Sequence, residues 1–246
     1  MMHLFSPAGM AELGRFSGPG TLLGLDYDGT LAPITANPDE ARIPSHTRAC
    51  LERAASRYPT VVITGRAVAD ARRLLSDLPV EIIGNHGAEG ASVVSRFLES
   101  RVASWRDQLA SQLAASPGIS VEDKRYSLAI HYRSSPDWTV ARDLVMRAVS
   151  RLPGARVVPG KAVVNVLLHE APNKGSALLV ACARVGCARA IYIGDDETDE
   201  DIFSLNRPDQ VLGIRVGNKP DSSAAFYVES QDEVDGVFSA ILAASH

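Results

Sequence analysis

The chain of 246 residues is 46 % hydrophobic and 22 % charged, with a net charge of −4. That length admits one large domain, or a core with a smaller second unit, in an ordinary soluble globular composition. The acidic balance argues against a general nucleic-acid-binding surface but leaves room for a local basic pocket.

The first 20 residues contain Gly14, Gly18, Pro19 and Gly20 and read as a short helix or arm followed by a turn. They lack a basic segment leading into an apolar run, so no signal peptide is expected. Thr21 to Leu25 is a brief apolar run that stops at Asp26. Pro44 to Ser56 has a helical pattern. Tyr58 to Thr64 is a second apolar run, ending at Gly65-Arg66, and Val68 to Leu78 is again helical. Val80 to Ile83 is a third run, ending at Gly84-Asn85-His86-Gly87.

The middle of the chain reads differently. Ser95 to Ala115 is a long helical pattern, Ser120 to Tyr132 is strand-like, and Asp137 to Leu152 is helical. Ala155 to Leu168 reads as strand-turn-strand, with Pro159-Gly160 as the turn. Lys174 to Val185 then returns to a helical pattern. A fourth apolar run, Ala190 to Ile193, ends at Gly194-Asp195-Asp196. Thr198 to Leu205 is a short helical segment, and Val211 to Val216 is a fifth run.

Short runs buried on both faces and alternating with helices predict a parallel α/β sheet. The expected fold is a Rossmann-like three-layer core with an inserted α+β unit. The core is assigned 1–90 and 168–246, and the inserted cap 91–167. The connections near 88–95 and 166–172 are candidate hinges.

Cys50, Cys182 and Cys187 are odd in number and lack zinc-type spacing, so they read as free thiols in a reducing, cytoplasmic setting. No stretch approaches the roughly 18 apolar residues of a membrane span. Nothing in the pattern fixes an oligomeric state, and a monomer meets every expectation above.

Chemistry gathers at the ends of the apolar runs, where open α/β sheets place their sites. Asp26 and Asp28 lie two apart, so an extended backbone points both to one side. A second acidic run, Asp195-Asp196-Glu197-Thr198-Asp199-Glu200-Asp201, follows another run end. Convergence of the two would require a counter-cation, because desolvated like charges repel. An all-oxygen carboxylate site suits magnesium. Thr64-Gly65-Arg66 offers a hydroxyl and a close backbone approach. Lys174-Gly175 opens a helix, where an anion is favoured and where Lys174 can neutralise a moving phosphoryl group. Taken singly, each has a plainer reading: solvated acids in a turn, an acidic helix start, a Thr64 cap, a surface lysine.

Taken in order, Asp26-Tyr27-Asp28-Gly29-Thr30, Thr64-Gly65-Arg66, Lys174-Gly175 and Gly194-Asp195-Asp196 resemble the four motifs of the haloacid dehalogenase-like superfamily. The stretches 25–34, 63–66, 84–90, 121–133, 173–178 and 194–203 resemble the trehalose-6-phosphate phosphatase family more narrowly. The resemblance implies that Asp26 is a nucleophile forming an aspartyl phosphate. It makes Asp28 the acid and then the base, with Thr64 and Lys174 binding phosphoryl oxygens. It implies magnesium held by Asp26, the Asp28 carbonyl and Asp195, with Asp196 or Asp199 acting through water or from farther out. It further implies a cap that reads the sugar through Glu122, Lys124 and Arg133, with Arg66 and His86 lining the core side. His131 reads as structural. The family commonly carries a glutamate where this chain has Asn165, which bears on the sugar and not on phosphoryl transfer.

The expected activity is hydrolysis of trehalose 6-phosphate. Two alternatives are a phosphatase or mutase acting on another sugar phosphate, of sucrose or glucosyl-glycerate type, and a non-catalytic phospho-receiver. Asp28 disfavours the receiver, since a long-lived aspartyl phosphate needs no acid two residues away. The inserted cap disfavours it as well.

Overall fold

A computed structural model describes residues 1–35, 38–90, 96–160 and 162–244. In chain order the elements are β1 (Met2–His3), α1 (Pro7–Phe16), β2 (Thr21–Leu25), α2 (Ser45–Ala55), β3 (Thr60–Ile63), α3 (Val68–Leu75) and β4 (Glu81–Ile83). Next come α4 (Arg96–Leu113), β5 (Ser120–Asp123), β6 (Ser127–His131), α5 (Trp138–Val149), β7 (Ala155–Gly160) and β8 (Val163–Leu168). The chain ends with α6 (Lys174–Val185), β9 (Arg189–Gly194), α7 (Glu200–Phe203), β10 (Val211–Val216), β11 (Phe226–Val228) and α8 (Val234–Ala243). The chain divides into two compact units, Met1–Gly87 with Asn173–His246, and Ala88–Pro172.

The first unit is built on a parallel sheet of seven strands, in the order β1-β11-β10-β9-β2-β3-β4. Alternation along the strands decides which helices cover which face. Leu23 and Leu25, Val62, Ile191 and Ile193, and Leu212 and Ile214 share one core with residues of α1, α2, α3 and α8. On the other face, a Cβ at Gly24 would strike Leu178 of α6, and one at Gly213 would strike Phe203 of α7. Those two glycines let the helices sit close to the strands. The result is the predicted layered α/β core.

The second unit is an antiparallel sheet, β5-β6-β8-β7. Leu128, Ile130, Val164 and Val166 point to one face and pack with Trp105 and Leu109 of α4 and Val145 and Val149 of α5. The fold class read from the sequence, a parallel α/β core with an inserted α+β unit, is the one observed.

Local details differ. The strand-like run 120–132 is a hairpin. The Asp123 carboxylate accepts the Arg125 N–H at 2.7 Å, and Arg125 takes a φ of 72°. That is the turn chemistry of a short acidic side chain bonding two residues on. Pro159-Gly160 is not the predicted turn: both residues belong to β7 and pair with Val164 and Val163. Because β7 is an edge strand, a proline there leaves no ladder partner unmatched in the sheet interior. The reversal follows them, where Ala162 has a φ of 61°; Lys161 lies outside the described residues. So do Ser95, expected to open α4, and the stretch 91–95 of one candidate hinge.

Candidate active site

The chain runs β2 to β3 to β4 toward one edge of the parallel sheet, and β9 to β10 to β11 toward the other. The crevice at the strand ends between β2 and β9 is therefore the switch point where such sheets bind ligands. Leu25 pairs with Ile193 in that crevice, and the Asp26 N–H donates to the Ile193 carbonyl at 2.9 Å. Asp26 and the acidic run from Asp195 consequently emerge side by side, with Asp26 only 4 % exposed.

Lys174 enters from α6. Asn173 caps that helix, accepting the Ser176 N–H at 2.9 Å while the Ser176 hydroxyl accepts the Asn173 N–H at 3.0 Å. The Lys174 side chain is 1 % exposed, and its ammonium lies 3.1 Å from Asp26 Oδ1 and 2.7 Å from Asp199 Oδ1. Asp199 Oδ1 also accepts the Tyr192 hydroxyl at 2.7 Å, and Oδ2 accepts the Asp196 N–H at 2.8 Å. Both Asp199 oxygens are thus committed to protein donors, which suits an anchor for Lys174. Asp195 accepts the Thr30 hydroxyl at 3.2 Å. Asp196 accepts the Glu197 N–H at the start of the helical turn 197–199.

One oxygen each of Asp26, Asp195 and Asp199 lies within 4.8 Å of the others. The electrostatics are those of a buried cluster with more acid than base. Burial raises the Asp26 carboxyl well above the usual range; Lys174 opposes this, and Asp199, Asp195 and Asp28 add to it. Burial also pushes Asp195 up to about 7, helped by Asp199 and Asp196. Burial raises Asp196 too. Burial works to lower Lys174, but Asp199, Asp26 and Asp196 outweigh it and hold the ammonium firmly protonated. The donor set is therefore short of positive charge and made of carboxylate oxygens, which is the chemistry of a hard divalent cation site.

A stability effect follows for the metal-free protein. A carboxyl whose folded value exceeds its unfolded 3.8 binds more protons in the native state between about pH 4 and 7. Stability is then present at low pH and lost as pH rises through the folded value. In chelator, moving from pH 6 to pH 8 is expected to cost about 1 kcal/mol through Asp195, or about 2–4 °C in melting temperature. Asp195→Asn should flatten that slope; an equally steep slope in the variant would assign it to other groups.

The second predicted acid lies close by but is held differently. Arg66 donates to both oxygens of Asp28, from Nε at 2.7 Å and Nη2 at 2.6 Å, and its guanidinium stacks 5.2 Å from the Tyr27 ring centre. Tyr27 is fixed in turn by donating to the Ala41 carbonyl at 2.8 Å. Arg66, a predicted substrate contact, is thereby placed on Asp28. Thr64 is buried at the end of β3, its hydroxyl accepting the Arg66 N–H at 3.2 Å. His86 is buried with a φ of 55°, and its N–H donates to the Thr64 carbonyl at 2.9 Å. Its ring occupies the space a Cβ at Gly65 would fill. Likewise, a Cβ at Gly29 would fall on the Asp195 carboxylate, and Gly29 has a φ of 85° that other residues rarely adopt.

Glu122, Lys124, Arg133 and Asn165 all belong to the second unit. The register sets Glu122, Ala129, Asn165 and Val158 in one row across the four strands, on the face opposite α4 and α5. Two of the four predicted sugar contacts thus share a face. Glu122 is bonded to His131 Nε2 at 2.7 Å, and Asn165 is buried. Lys124 sits at the tip of the β5–β6 hairpin, its N–H donating to the Ser127 carbonyl. The Arg133 carbonyl accepts the Trp138 indole N–H at 2.9 Å.

The pattern reading passed over Tyr192 and Arg215. Tyr192 looked like one more apolar strand residue, and alternation alone did not show that its hydroxyl reaches Asp199. For Arg215 a signal existed: a lone cation inside an otherwise apolar run.

The family model described as trehalose-phosphatase matches residues 24–234. A probable trehalose-phosphate phosphatase 4 of Oryza sativa subsp. japonica is 30 % identical over 230 residues, covering 85 % of this chain and 62 % of that protein. The chain thus spans less than two thirds of that relative's length. A solved C-terminal domain of the C. albicans trehalose-6-phosphate phosphatase superposes with a TM-score of 0.78 at 20 % identity, covering 98 % of both chains, and is similar in fold. A solved trehalose-6-phosphate phosphatase related protein superposes with a TM-score of 0.70 at 27 % identity, covering 90 % of this chain and 98 % of that one.

Proposed function

Since the chain belongs to the trehalose-phosphatase family, we propose that it hydrolyses trehalose 6-phosphate to trehalose and inorganic phosphate through a phosphoryl group carried on Asp26. The observation that carries this reading is the meeting of Asp26, Lys174 and Asp195 at the switch point, with Asp28 two residues along the chain. Magnesium suits the oxygen donors of Asp26 and Asp195 together with the Asp28 carbonyl. When bound, it supplies positive charge that screens carboxylate from phosphate. Asp199, engaged by Lys174 and Tyr192, orients that lysine from farther out, and Asp196 serves through water.

A carboxylate oxygen of Asp26 attacks phosphorus, and the bond to the sugar oxygen breaks. A sugar alkoxide leaves poorly, so Asp28 donates a proton to it as the bond opens. Lys174 and the Thr64 hydroxyl hold the phosphoryl oxygens and stabilise their developing charge. Asp28, now a carboxylate, takes a proton from water, which attacks phosphorus and returns Asp26 and phosphate. Arg66, which donates to both Asp28 oxygens, matches the carboxylate that acts as base; for the acid step one of those oxygens leaves Arg66 and carries the proton, while His86 supports the Thr64 turn. The sugar hydroxyls are assigned to Glu122, Lys124, Arg133 and Asn165. Three free thiols support a cytoplasmic setting, and among the described residues no helix is long and apolar enough to cross a membrane.

The test is phosphate release with magnesium across a panel of sugar phosphates. Trehalose 6-phosphate is expected to lead. Faster turnover of glucose 6-phosphate or sucrose 6-phosphate would overturn the substrate, and no turnover of any ester would overturn the activity. Within that panel, Glu122→Ala is expected to lower kcat/KM for trehalose 6-phosphate by about tenfold or more, and for a small aryl phosphate by less than about threefold. Equal losses on both would make Glu122 a structural partner of His131.

A further inference from the structure

The register of β10 with β9 sets Arg215 beside Gly194, the residue that precedes the acidic run. The Arg215 side chain is 7 % exposed. Its Nη2 donates to the Asp195 carbonyl, and its Nη1 to the Asp196 carbonyl at 3.2 Å and to Glu200 Oε1 at 3.1 Å. The other Glu200 oxygen accepts the Ser223 N–H at 2.9 Å. One planar cation therefore grips two consecutive carbonyls of the loop that carries the metal carboxylates. It is held in turn by a carboxylate on α7 that also ties down the segment after β10.

We propose that Arg215 is a positioning residue for the metal centre, fixing the backbone from which Asp195 projects. Its hydrogen bonds go to two main-chain carbonyls and to Glu200, outside the Asp26–Asp195–Asp199 carboxylate group, so it acts through the main chain. The physical need is plain. Asp195 is half-buried beside the buried Asp26 and Asp199, and mutual repulsion favours a loop that swings Asp195 out to water. Two charge-assisted hydrogen bonds to consecutive carbonyls oppose that swing. The ligands are then brought together during folding and need no rearrangement when the cation arrives. A lysine at 215 would offer a point charge in place of the fork and would grip the two carbonyls less well. The inference rests on the reading of Asp195 as a magnesium ligand.

The experiment is calorimetric titration of chelator-treated protein with Mg²⁺ alone, for wild type, Arg215→Gln, Arg215→Lys and Glu200→Gln, with melting curves of each metal-free protein. Support for an outer partner of a metal site is typically worth about 10–100-fold in affinity. Arg215→Gln is expected to weaken Mg²⁺ binding by about tenfold or more, with Arg215→Lys between it and wild type. Glu200→Gln is expected to weaken it by about threefold, because the guanidinium loses its charged anchor. A merely structural role would lower melting temperatures and leave the Mg²⁺ affinity of the folded protein unchanged, and that result would overturn the proposal. If Arg215→Gln does not fold, unchanged affinity in both remaining variants overturns it equally. Wild-type protein that binds no Mg²⁺ would remove the metal reading and this inference together. Binding by wild type and all variants alike would remove this inference alone.

Discussion

The substitution Asp26→Asn is expected to leave a folded protein that no longer releases phosphate from trehalose 6-phosphate. It changes little in volume but removes the carboxylate proposed to attack, and an amide oxygen is a poor nucleophile at phosphorus. A drop of about 10⁴-fold or more is expected, equivalent to about 5.4 kcal/mol of lost transition-state stabilisation. The fold should tolerate the change. Asp26 is buried among other acids, so neutralising it relieves repulsion, and Lys174 keeps its 2.7 Å contact with Asp199. The melting temperature in chelator should therefore hold within a few degrees or rise. Activity within tenfold of wild type would take Asp26 out of the chemistry. A collapse of the fold would mean that the Lys174–Asp26 contact is more important to folding than the crowding of acids implies.

Lys174→Met is expected to have the opposite profile, with a large loss of stability as well as activity. Methionine fills much of the same volume, so the loss isolates the charge. Without the ammonium, Asp26 and Asp199 are buried with no cation between them, and breaking a buried pair from one side costs about 3–5 kcal/mol. For a chain of this size that is on the order of 10 °C in melting temperature. The double variant Lys174→Met with Asp199→Asn should recover part of the loss, because the stranded charge is then gone as well. A loss below about 1 kcal/mol, or a purely additive double variant, would show that water reaches these carboxylates and that Lys174 acts on substrate alone.

Much of this arrangement was legible in the order of residues. Apolar runs that stop at Asp26, Thr64 and Asp195 are strands whose last residues must leave the sheet, and a parallel sheet collects those ends on one side. The convergence of the carboxylates followed from that geometry once the strand order was known. The contents of the strands were less legible. Tyr192 alternates like a core residue, and its hydroxyl contact with Asp199 depends on a neighbour seven positions on. The pairing of Asp28 with Arg66 joins residues on two different strand ends, which spacing cannot reveal. Pro159-Gly160 misled because proline and glycine usually mark turns, whereas at a sheet edge a proline continues the strand. The residues after 217 escaped the motif reading altogether. They contribute β11 and α8, whose Val234, Val237, Phe238 and Ile241 help fill the core beneath the sheet.

The switch point also sets an order of events in synthesis. Asp26, Asp28 and Thr64 precede residues 88–172 in the chain, whereas Lys174 and the acidic run follow them. At about 5–20 residues per second, the ribosome needs about 4–17 s to make the intervening unit. During that interval β2 lacks its neighbour β9, and Asp26 lacks Lys174. All four strands of the antiparallel unit, β5 to β8, are made before β9, the strand that closes the edge of β2. The proposed phosphoryl transfer would thus be withheld until β9 slots in beside β2, and a truncated product ending before residue 174 would carry Asp26 without Lys174, the cation that tolerates its charge.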